Sequence, residues 1–193
     1  METPLKRTLF ALCALLLACT AGAYHALPGL FKEPLLQMNR ALSGLEEKTI
    51  RVAGHDIHYL EGGQGETPIV LLHGIFAEKD HWTDFARSLT GQHRILAPDL
   101  PGFGESSRHE GEAYDYAAQT ERLRALLDAL GLARLHLAGS SMGGTLAALL
   151  ALQHPERVAS VAFVGAPHGI RSARPSAMDR LIDQGQAPLV AHD

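Results

Sequence analysis

Four short, nearly continuous apolar runs constrain the fold more than any other feature of this chain: residues 69–72, 95–97, 135–138 and 158–164. A strand with one wet face alternates apolar and polar side chains, so runs apolar throughout predict strands covered on both faces. Between them lie stretches of helical period. Leu123, Leu126, Leu127 and Leu130 make the apolar face of a helix expected over 116–130, with Gly131 placed to end it. A helix is expected over 143–154, stopped at Pro155. Another is expected over 80–89, where Trp82, Phe85, Ala86 and Leu89 recur at helical spacing and Trp82 reads as core. Ahead of these, β-rich runs at 49–52 and 57–61 flank Ala53-Gly54-His55-Asp56 and predict a hairpin; Gly62-Gly63-Gln64-Gly65 reads as a loop. From Pro167 onward the pattern weakens, with a helix expected at 176–183. The alternation predicts an α/β fold: a mostly parallel sheet with helices on both faces, opened by an antiparallel hairpin.

Charge and composition bear on partners and compartment. The formal net charge of −4 and the lack of a basic run argue against a nucleic-acid partner. The eleven His residues are scattered; His55 and His58 are close, but no Cys, His or carboxylate cluster has zinc spacing, so no metal site is expected. The N-terminus differs from the rest. Lys6 and Arg7 precede an apolar run over 8–18, the length of a signal-peptide core and too short alone to span a bilayer. Ala21-Gly22-Ala23 reads as a cleavage site, whereas Leu16-Leu17-Ala18-Cys19 resembles a lipobox, in which the Cys is lipidated. A third reading is an uncleaved anchor, because the apolar stretch continues weakly through 24–31. The expected organisation is a signal peptide over 1–23 (a lipoprotein signal if it ends at Cys19), a linker with a short amphipathic helix over 24–48, and a globular domain over 49–193. The product is expected to be exported: periplasmic, membrane-attached through its N-terminus, or secreted. Both cysteines, Cys13 and Cys19, lie in the first segment, so the domain relies on its core and not on disulfides.

The chemistry-bearing motif is Gly139-Ser140-Ser141-Met142-Gly143-Gly144, between an expected strand and an expected helix. A nucleophilic Ser needs its hydroxyl raised above the sheet on a tight turn, with small residues two before and two after it so that strand and helix can approach. Gly139 and Gly143 fill those positions and select Ser141 over Ser140. A developing oxyanion needs two preorganised N–H donors. Met142 offers one at a helix N-terminus, and Ile75, in the loop after the 69–72 strand, is best placed for the other. His73 reads as a residue that shapes this loop by hydrogen bonding, not as the base. Asp99-Leu100-Pro101-Gly102-Phe103-Gly104-Glu105-Ser106 reads as a structural loop, its glycines permitting turns and Asp99 bonding local backbone.

Taken in order, Leu-Leu-His73-Gly74, Trp82, the Asp99–Ser106 loop, Gly-Ser-Ser141-Met-Gly-Gly and His-Pro155-Glu-Arg-Val resemble the α/β-hydrolase superfamily, and most closely the bacterial family V lipases and esterases. The resemblance runs from about Thr49 to the end. It implies an eight-stranded, mostly parallel sheet with a helical cap after the sixth strand. It also implies cofactor-free hydrolysis of small-molecule ester or lipid substrates through an acyl-enzyme on Ser141, with the Ile75 and Met142 N–H groups as oxyanion hole. In that family a cap, two strands, an acid and a His follow the nucleophile. Only about fifty residues follow Ser141 here, so 49–193 reads as a partial α/β-hydrolase domain, truncated after about the sixth strand and the start of the cap, and is expected to be inactive alone. His168 is the one later His near the expected active face; it reads as a loop or pocket-lining residue before it reads as a base. Two alternatives stay open: another Ser-dependent member, such as a carbon–carbon bond hydrolase or cofactor-free perhydrolase, or a non-catalytic relative.

Overall fold

The computed structural model describes residues 4–27 and 29–166. The chain divides into two compact units, residues 1–39 and 40–193. The expected helix at 176–183, the start of the cap and His168 lie outside the described residues.

In the first unit, helix α1 spans Pro4–Ala26. Its apolar part is longer than the 8–18 run: Thr8–Ala26 is 19 residues with mean hydropathy 1.8. At 1.5 Å per residue that is roughly 28 Å, the thickness of a bilayer core. Signal peptides and anchors both meet this test. Cys13 and Cys19 are exposed free thiols on it. Helix α2, Gly29–Leu42, follows and tolerates Pro34 inside it.

The second unit is built on six strands in the order β1-β2-β4-β3-β5-β6. Strands β1 (Leu45–Val52) and β2 (His55–Gly62) form the expected hairpin, with β1 starting four residues earlier than expected from sequence. Their register pairs Val52 with His55. That leaves Ala53 and Gly54 as a two-residue turn, both at positive φ (50° and 84°), the twist that suits a tight hairpin. β2 pairs antiparallel with β4 (Ile95–Pro98). The remaining pairs are parallel: β3 (Ile69–Leu72) with β4, β3 with β5 (Leu135–Ser140), and β5 with β6 (Val158–Val164).

The two-residue period of these strands divides the core. Val70, Leu72, Leu96, Leu135 and Leu137 pack on one face with Leu123 and Leu127 of α4 (Tyr116–Ala129) and Met142, Leu146 and Leu150 of α5 (Met142–Gln153). Leu71, Ile95, Ala97 and Ala138 pack on the other with Trp82 and Ala86. The segment expected as one helix over 80–89 is a 3₁₀ turn, Lys79–Trp82, followed by a single α turn, α3 (Thr83–Ala86). Asp115 caps α4 by accepting from the Ala118 N–H at 2.9 Å.

The fourth run forms a strand where expected but is not buried. Phe163 and Val164 are each about half exposed. Among the described residues β6 has a partner on one side only, β5. Its apolar character is therefore not matched by coverage on both faces.

Candidate functional site

Ser141 stands at the junction of β5 and α5 with φ 47° and ψ −113°, a region that L-residues rarely occupy. Such a conformation costs about 1–3 kcal/mol and persists only where the surroundings impose it. Several contacts impose it here. The Ser141 N–H donates to the Val164 carbonyl of β6 at 3.0 Å. Its own carbonyl accepts from Gly144 N–H at 3.0 Å and Thr145 N–H at 3.3 Å, the opening turn of α5. A Cβ at Gly139 would overlap the backbone of Gly143 and Gly144, and a Cβ at Gly143 would overlap the Leu72 and His73 carbonyls, the latter at 2.6 Å. Strand, turn and helix therefore meet at a separation only glycine allows.

The loop after β3 closes on the same point. A Cβ at Gly74 would lie 3.3 Å from the Ser141 Cβ. Ile75, the next residue, is half-buried, and Phe76 after it is exposed with φ 58°. Met142 is buried as the first residue of α5. Among the described residues nothing hydrogen-bonds to the N–H of Ile75 or of Met142, or to the Ser141 hydroxyl. Unbonded N–H donors next to a serine at a helix N-terminus are of the kind a developing oxyanion requires.

The hydrogen bonds of His73 and Asp99 run to groups other than Ser141. The Leu100 N–H donates to His73 Nε2 at 3.0 Å, which makes Nδ1 the protonated nitrogen, and Nδ1 donates to the Gly74 carbonyl at 2.8 Å. Burial pushes the proton affinity of this imidazole down, so it stays neutral. Asp99 is fully buried; its carboxylate accepts from Lys79 N–H at 2.6 Å, the Lys79 ammonium at 3.0 Å and Glu105 N–H at 2.9 Å.

Sequence reasoning missed the ion network around Lys79. This side chain is fully buried and also contacts Glu105 and Glu47. Burial disfavours its charge, but the hydrogen bond to Glu105 and the attraction of Asp99 outweigh that and raise its pKa. The same hydrogen bond holds the Glu105 carboxyl down to about 2. Arg40 joins through a two-pronged pair with Asp80 at 2.7 and 2.6 Å and a bond to Glu47 at 2.6 Å. The signal was readable: Lys79 falls on the same helical face as Trp82 and Ala86, an odd place for an unpaired cation. Glu47, His58 and Glu105 come close enough to hold a metal ion. The Lys79 ammonium, 3.3 Å from Glu47 and bonded to Glu105, already supplies their counter-charge.

Comparison with known proteins places these features in context. The family model described as the alpha/beta hydrolase fold matches residues 67–187. Lipase 1 of Psychrobacter immobilis is 41% identical over 165 residues, covering 83% of this chain and 51% of that protein. A 2-hydroxy-6-oxononadienedioate/2-hydroxy-6-oxononatrienedioate hydrolase of Paraburkholderia phymatum is 36% identical over 119 residues, covering 58% and 41%. The crystal structure of a membrane phospholipase A, described as a bacterial virulence factor, superposes with a TM-score of 0.75 at 43% identity, covering 95% of this chain and 59% of that one. The chain thus spans about half the length of the curated relatives it matches.

Proposed function

Because the chain belongs to the α/β-hydrolase fold family, we propose that Ser141 is the nucleophile of a hydrolase acting on carboxylic esters, lipid esters included. The observation that carries this is the strained Ser141 turn, held by Gly139, Gly143 and the Val164 carbonyl with the Gly74 backbone against it. Strain of this kind is retained where it serves a site. The Ser141 Oγ attacks the acyl carbonyl, forming a tetrahedral centre. The Ile75 and Met142 N–H groups receive the negative charge that develops on its oxygen. Collapse expels the alcohol and leaves an acyl-Ser141 ester, which water then hydrolyses. A Ser hydroxyl needs a base to take its proton near neutral pH; among the described residues none bonds to it.

Ester and lipid substrates are supported by the lipase and membrane phospholipase relatives. Export or membrane attachment is supported by α1, whose Thr8–Ala26 stretch has the length and hydropathy of a membrane-crossing segment. A second reading, cleavage of a carbon–carbon bond by the same Ser, is favoured by the 36% identity to the dienedioate hydrolase. Turnover of p-nitrophenyl esters by the whole protein and by its Ser141→Ala variant tests the first reading. The variant is expected to lose several orders of magnitude. Equal rates overturn the assignment, and cleavage of a vinylogous diketone without ester turnover selects the second reading.

A further inference from the structure

The turn that carries the Ile75 N–H is tied at both ends, and both ties run to consecutive residues of one other loop. At its start the Leu100 N–H donates to His73 Nε2 at 3.0 Å. At its end the Lys79 N–H donates to Asp99 Oδ1 at 2.6 Å, and the Lys79 ammonium to Asp99 Oδ2 at 3.0 Å. Between the ties the turn is closed by the Ala77 N–H donating to the Gly74 carbonyl at 3.3 Å, with Phe76 at φ 58°. The ammonium does more than bond Asp99. It reaches Glu105, Glu47 at 3.3 Å and Asp80 at 3.8 Å, while the buried Arg40 bonds Asp80 and Glu47.

Burying an ammonium and its carboxylates is costly, and such a network seldom stabilises a fold more than apolar side chains of equal volume. What it supplies is a directional fix: carboxylates from β1 and from the loop after β4 converge on one atom. We propose that Lys79 is a positioning residue of the hydrolytic site, its ammonium clamped between Asp99, Glu105 and Glu47 so that the 74–77 turn holds the Ile75 N–H against Ser141. This rests on the roles given above to Ser141 and Ile75. Lys79 touches no reacting atom and acts only through the backbone. The margin is small, since a Cβ on Gly74 would stand 3.3 Å from the Ser141 Cβ.

The test uses the whole protein with Lys79→Arg, Lys79→Met and the charge-balanced Lys79→Met/Asp99→Asn double variant. For each, kcat and KM on a p-nitrophenyl ester are normalised to active sites by titration. Inhibition by a trifluoromethyl ketone, whose adduct oxygen occupies the oxyanion hole, is measured alongside. Loss of positioning is expected to lower kcat per active site about 10- to 100-fold with KM within about twofold. The ketone Ki should rise in proportion, and Lys79→Arg should recover part of both. Unchanged kcat per site and Ki, with only Tm or the active fraction lowered, overturns the inference. Should the Met variants not fold, Glu105→Gln, at a half-exposed carboxylate, reads the same quantities, and no change there overturns it. A wild-type protein without Ser141-dependent ester turnover overturns the functional reading itself.

Discussion

Replacing Ser141 by Gly should abolish turnover and yet stabilise the fold relative to Ser141→Ala. Both substitutions remove the hydroxyl, so their difference isolates the backbone. At φ 47° and ψ −113° an alanine keeps the steric conflict between Cβ and its own backbone that serine has, whereas glycine has none. The conflict is worth about 1–3 kcal/mol. Against it stands the extra freedom glycine gives the unfolded chain, about 0.4–1 kcal/mol. The net expectation is a gain of about 1 kcal/mol for Ser141→Gly over Ser141→Ala, or about 2–4 °C in Tm for a domain of this size. Thermal and urea unfolding of the two variants, made in the whole protein, measure it. A Gly variant equal to or less stable than the Ala variant would refute the claim that the surroundings hold this residue under strain.

Other consequences can be measured in the same way. Gly143→Ala should lower stability by about 1–3 kcal/mol and disable the turn, because its Cβ would overlap the Leu72 and His73 carbonyls; unchanged unfolding and activity would count against the close approach. Glu105 should lend stability above its ordinary pKa of 4.5, lost as pH falls toward its folded value of about 2. Tm of the wild type should therefore drop between about pH 5 and pH 2 more than that of Glu105→Gln, and parallel curves would show that the carboxylate is not held down. A reporter fused after residue 48 should partition with membranes or leave the cytoplasm, and a cytoplasmic product retaining Met1 would exclude both roles of α1.

Much of the sheet was legible because its strands declare themselves by period. The 69–72 and 158–164 runs became β3 and β6 without a shift of boundary, and the Gly139–Gly143 spacing marked the strand–turn–helix junction later found there. Coverage was less legible than pairing. Apolar residues say that a strand can be buried, not what covers it, and Phe163 and Val164 stand half exposed. The 80–89 segment carried a helical period, yet Lys79 and Asp80 are drawn into ion pairs with Asp99 and Arg40 that a regular helix would not satisfy, leaving a 3₁₀ turn and one α turn. The network itself is built from residues 40, 47, 79, 80, 99 and 105, separations at which no local pattern records contact. Only the misplaced cation on an apolar face hinted at it.

The central claim is that Ser141 is the reactive group, and the most direct measurement is where an electrophile attaches. Treatment of the whole protein with a fluorophosphonate, followed by proteolysis and mass spectrometry, should give one stoichiometric adduct on the peptide containing Ser141, absent from Ser141→Ala. An adduct on another residue, or equal labelling of the Ser141→Ala variant, would contradict the account.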